Sequence, residues 1–166
     1  MIWQLIKPYF SRKENWGDPN KMNAELLFFL YRFRRTFPQD VYMLINCGYE
    51  QRENGGGHPE GRAVDCRIVG CHFEVAEEKL RGFIEKYNLK NHVALGVYPE
   101  WGDWARPGFH IEVEDEIKSC GRRWGAEYMR NKDGSLFLKR GKVVQKYIAY
   151  DLALKNREAY DDDFLI

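Results

Sequence analysis

One aspartate does most to restrict how this chain can fold. Asp65 lies within Ala63-Val64-Asp65-Cys66-Arg67-Ile68-Val69, a run otherwise suited to a buried β-strand. A carboxylate on a buried strand face is costly unless it is paired or bound to a metal. Strand alternation puts Val64, Cys66 and Ile68 on one face and Ala63, Asp65 and Arg67 on the other. The fold must therefore bring Asp65 a partner.

Two stretches can supply it. Upstream, Gly55-Gly56-Gly57-His58-Pro59-Glu60-Gly61 offers a histidine on a glycine-rich loop. Downstream, Gly108-Phe109-His110-Ile111-Glu112-Val113 reads as a short strand with His110 and Glu112 on a common face. Two imidazoles and one carboxylate are a frequent ligand set for catalytic zinc, with water in the fourth place. Taken singly the residues have plainer roles, His58 as a surface residue and Asp65 as a partner of Arg67.

Around these pieces the pattern is of mixed elements. Lys21 to about Phe37 carries Met22, Leu26, Phe29, Leu30 and Phe33 at helical spacing, after an irregular lead-in to Asp18. Strands are expected over Val41–Cys47, Arg62–Val69, Val93–Tyr98 and Phe109–Val113. A helix over Phe73–Tyr87 has Val75, Leu80, Phe83 and Ile84 as its apolar side. Asn131-Lys132-Asp133-Gly134 predicts a turn between Glu127–Met129 and Leu136–Leu138, and Val143 to Arg157 a last helix. The fold class is α+β, a small central antiparallel sheet flanked by helices. At 166 residues the chain suits one core. Residues 1–124 are read as the main domain and 125–166 as a hairpin and helix extension packed on it.

Composition narrows the function classes. The net charge is +1, from 26 basic and 25 acidic side chains, which offers no general surface for nucleic acid or membrane. No apolar run approaches a membrane span and no signal peptide is visible. Cys47, Cys66, Cys71 and Cys120 lack paired spacing and are expected as reduced thiols.

The string His58-x-x-Gly61-x-Ala63-x-Asp65, followed by His110-Ile111-Glu112, resembles the zinc D-Ala-D-Ala carboxypeptidases, whose relatives include phage endopeptidases, VanX-type dipeptidases and the hedgehog signalling domain. Asn46-Cys47-Gly48-Tyr49-Glu50, Leu95-Gly96-Val97-Tyr98-Pro99 and Arg122-Arg123-Trp124 extend the likeness from Pro8 to Trp124. The resemblance implies a hedgehog-like peptidase fold, a Zn2+ ion on His58, Asp65 and His110, and hydrolysis of peptide bonds in peptidoglycan stem peptides. Many members place an acid three positions before the last histidine, where this chain has Pro107; the general base then falls to Glu112 first and Asp103 second. Glu50 stands in place of a family arginine, so Arg52 is either its substitute or a solvated loop residue. Trp101 and Trp104 are candidates to line a substrate groove, or to pack over the sheet. A monomer is expected, cytoplasmic until released by other means, or associated with a phage particle. The competing expectation is a zinc-stabilised binding or phage structural module without turnover.

Overall fold

The computed structural model describes residues 2–51, 56–98, 107–114 and 121–157. Asn23 starts the first long helix: its side chain accepts hydrogen bonds from the backbone N–H groups of Glu25 (2.8 Å) and Leu26 (3.2 Å). That cap places helix α2 at Ala24–Arg34, three residues later than the apolar spacing suggests. Its far end is closed by Arg34, whose buried guanidinium donates to the carbonyls of Phe37, Pro38 and Gln39.

The lead-in is more ordered than expected. It opens with a short helix, α1 (Ile2–Ile6), and sends Ile6, Phe10 and Trp16 into the core. Trp3 and Phe10 meet the Trp16 ring edge-on at 5.3 and 5.7 Å. The backbone there crosses the end of strand β1 (Tyr42–Cys47), where the Tyr49 N–H donates to the Trp16 carbonyl at 2.7 Å. A Cβ on Gly48 would lie 2.6 Å from that same carbonyl, so only glycine permits the crossing.

Strand β2 (Ala63–Val69), helix α3 (Phe73–Lys86), β3 (Val93–Tyr98) and β4 (Gly108–Val113) follow close to expectation. The buried stripe of α3 is Phe73, Ala76, Leu80, Phe83 and Ile84; Val75, expected on that side, is 43% exposed. Then come β5 (Arg123–Tyr128), β6 (Leu138–Lys139), β7 (Lys142–Val143), β8 (Gln145–Ile148) and helix α4 (Tyr150–Arg157). The turn at Asn131–Gly134 forms, with the Gly134 N–H donating to the Asn131 carbonyl and Arg130 bridging Leu136. The helix expected from Val143 is instead two strands and then a helix. Val143, Val144, Tyr147 and Ile148 are β-formers, and β5 offers an edge for β8 to pair with.

The main sheet has the order β1-β2-β4-β3-β5-β8, with β6 and β7 as a separate pair. It is mixed rather than antiparallel, because β5 runs parallel to β3 (Leu95 opposite Arg123). Since β4 returns to the end where β3 starts, a chain that steps over β3 alone lands parallel to it. Val64, Cys66, Leu95, Val97, Phe109 and Ile111 join the helices in one core. Each such buried side chain contributes about 1.5–3 kcal/mol by leaving water. That core holds the sheet rigid beneath its other face.

Candidate metal centre

Strand register assembles the site. Cys47 on β1 lies opposite Asp65 on β2, Asp65 opposite His110 on β4, His110 opposite Gly96 on β3, and Gly96 opposite Trp124 on β5. One row across five strands thus carries a thiol, a carboxylate, an imidazole, a gap and an indole. A β-bulge between Ile45 and Cys47 brings Cys47 into this row. Gly96 provides the gap: a Cβ there would lie 2.7–2.9 Å from the Trp124 ring, which stands 5.2 Å from the His110 ring.

His58 enters from the loop and is 3% exposed. Its Nδ1 lies 2.6 Å from the Gly48 carbonyl, so Nδ1–H donates there and the Nε2 lone pair is left for the site. Nε2 is buried, and the nearest polar atom given for it among the described residues is Asp65 Oδ1 at 3.3 Å, too long for a strong hydrogen bond. A buried ring nitrogen this close to a buried carboxylate is an arrangement that could hold a cation. Asp65 Oδ1 also sits 2.8 Å from His110 Nδ1, and the two rings are 5.1 Å apart. Four-coordinate zinc with bonds of about 2.0–2.1 Å separates its donors by about 3.3 Å. The 3.3 Å from Asp65 to His58 suits that geometry, whereas the 2.8 Å from Asp65 to His110 is that of a hydrogen bond.

Charge in the cluster is strongly coupled. Burial lowers His58, but Asp65, Cys47 and the Gly48 carbonyl outweigh it and hold the imidazole up at about 10. Burial also lowers His110, yet its contacts to Asp65 and Glu112 raise it overall. Burial raises Asp65, and the two rings pull it down to about 2. The site is therefore a carboxylate held low by two imidazoles that it holds up in turn.

Cys47, His58 and Asp65 could hold a metal ion: each offers a donor atom, and all three lie within 4.8 Å of one another. Cys47 was missed in the sequence, where it read as a small buried hydrophobe. Its only sequence signal is its place just before Gly48. Its sulfur lies 3.9 Å from His58 Nδ1, the nitrogen already engaged by Gly48, which places it beside the rear of that ring.

His58, Asp65, His110 and Glu112 come together as the sequence led one to expect. Glu112 meets the other edge of His110, with Oε2 3.4 Å from Nε2, and packs so tightly on the loop that a Cβ on Gly57 would lie 2.6–2.8 Å from it. Burial raises the Glu112 carboxyl, but His110, Arg122 and Arg62 bring it below the ordinary value. Arg122 reaches both Glu112 (3.4 Å) and Glu114 (2.5 Å). Arg52, Trp101, Asp103 and Trp104 lie outside the described residues. No family model, curated protein or solved structure matches the chain.

Proposed function

We propose that the chain is a zinc-dependent peptidase acting on peptidoglycan stem peptides, with His58, Asp65 and His110 as the metal ligands. One observation carries this reading: Asp65 Oδ1 lies between His58 Nε2 (3.3 Å) and His110 Nδ1 (2.8 Å), and among the described residues Nε2 makes no closer polar contact. The sequence likeness to D-Ala-D-Ala carboxypeptidases supports the substrate class. A zinc ion held there would polarise a scissile carbonyl and bring the pKa of a water toward neutrality.

The chain's own residues divide the remaining work. Gly48 fixes the His58 tautomer through Nδ1. Glu112 accepts from His110 Nε2–H, which holds Nδ1 toward Asp65. That position on the far edge of the ring favours an orienting role and moves the general base to Asp103. Trp124, across the gap at Gly96, borders the space where a peptide would lie.

Hydrolysis decides between this and the rival reading, a zinc-stabilised module without turnover. Purified peptidoglycan or a stem peptide should release new amino groups, and a chelator should stop the release. Full zinc occupancy with no release would select the rival. Glu112→Gln should cost about 10–100-fold, as for an outer-shell partner. Asp103→Asn should cost about 100–10,000-fold, as for a general base. The reverse order would return the base to Glu112.

A further inference from the structure

The chain is nearly neutral overall, yet its basic charge is unevenly placed. From Met129 to Ile148 it carries Arg130, Lys132, Lys139, Arg140, Lys142 and Lys146 against Asp133 alone. Lys146 is neutralised by Glu127 at 2.7 Å, and Arg130 donates to the Gly134 carbonyl. Lys139, Arg140 and Lys142 form no ion pair among the described residues. All three are exposed, and they line a concavity of about 630 Å³ with Val143, Val144 and Gln145. Among the described residues no carboxylate lines it.

The hairpin bearing them is built against its own electrostatics. Lys139 and Lys142 stand directly opposite each other in the β6–β7 register, where like charges destabilise a strand pair. The two-residue turn between them holds Arg140 at φ 54° and Gly141 at φ 76°. Such turns favour asparagine or aspartate before the glycine, because positive φ is unfavourable for most side chains. An arginine there, between two facing lysines, concentrates three cations at one tip. Leu138, which precedes Lys139 on β6, is 55% exposed.

We infer that the β6–β7 hairpin docks the protein on a phosphodiester polymer of the bacterial wall, with phosphates at Lys139, Arg140 and Lys142. The phosphates of a polyanion would offset the repulsion between the facing lysines. The exposed Leu138 beside the cations suits the carbon skeleton of the polyol or sugar units between phosphates. Three cations on one hairpin tip make a compact positive site, unlike the extended basic face that tracks a nucleic acid. The choice of wall polymer rests on the peptidase reading above; the cationic tip itself does not.

The test is co-sedimentation of the full chain with purified Gram-positive walls, before and after their polyol phosphate is stripped with hydrofluoric acid. The expected result is at least tenfold weaker binding to stripped walls and marked weakening by added salt. K139E/R140E/K142E should bind intact walls at least tenfold more weakly, while K139R/K142R should bind as the native chain does. Both variants should match it in thermal unfolding and hydrolyse a soluble stem peptide within twofold of its rate. Equal binding to stripped walls, full binding by the charge-reversed variant, or preference for duplex DNA over walls would each overturn the inference. If the native chain cleaves no peptide, the peptidase reading fails while the binding result still stands or falls by itself.

Discussion

At the scale of single residues, protons and a metal compete for the same atoms. His58 is held up at about 10 because Asp65 and the Gly48 carbonyl outweigh the effect of burial, and His110 is also raised. The free ring titrates near 6.5. The extra stability from His58 in metal-free protein is thus full below about 6.5 and is lost as pH rises through about 10. Asp65 has the opposite sign: its contribution is present above its ordinary value and is lost as pH falls through about 2. Zinc must displace a proton from at least one ring, so binding at pH 7 should release protons. Calorimetry in buffers of different ionisation enthalpy measures the number; no release would mean the rings are already neutral. A steric prediction stands beside it. Gly96→Val pushes into the Trp124 ring, and should cost about 1–3 kcal/mol in urea unfolding with a change in tryptophan fluorescence. An unchanged midpoint would show that the indole is not packed over the gap.

At the scale of elements, the site depends on where strands start, bend and pair. Asn23 caps α2 by its side chain, while its backbone N–H donates to the Gly61 carbonyl in the loop that carries His58. Asn23→Ala removes the cap and keeps that backbone bond. It should therefore lower stability by about 1 kcal/mol, read in thermal unfolding, with zinc affinity unchanged. A large loss of affinity would show that the helix start positions the loop. How far the elements could be read in advance depends on how local their signals are. The alternation in Ala63–Val69 and Gly108–Val113 was enough to put Asp65, His110 and Glu112 on single faces. The strand at Gln145–Ile148 was hidden because its preference is settled by pairing with β5, far from any local cue. Val75 was misassigned because helical spacing admits a neighbouring stripe, and the packing chose Phe73 and Ala76. Cys47 was invisible as a site residue because a bulge, not a spacing, sets its register.

At the scale of the whole molecule, a rigid core of apolar side chains lies under one sheet face and a charged row lies on the other. Asp65 and His110 lie in that row and His58 reaches them from the loop, so a metal that binds this folded arrangement and not the unfolded chain should stabilise the fold. At a thousand times the dissociation constant, the gain is about 4 kcal/mol, which shifts the melting point by roughly 10 °C in a chain this size. Differential scanning fluorimetry with and without a chelator reads that shift, and His58→Ala should abolish it. An equal melting point in both conditions would show that no tight site exists.

X-ray absorption on protein loaded with zinc tests the ligand assignment most directly, because sulfur lies at about 2.3 Å from zinc and nitrogen or oxygen at about 2.0–2.1 Å. The expected result is one zinc per chain, a nitrogen and oxygen shell with imidazole scattering from two rings, and no sulfur. Retention of no zinc, or a sulfur shell that Cys47→Ser removes, would contradict the triad of His58, Asp65 and His110.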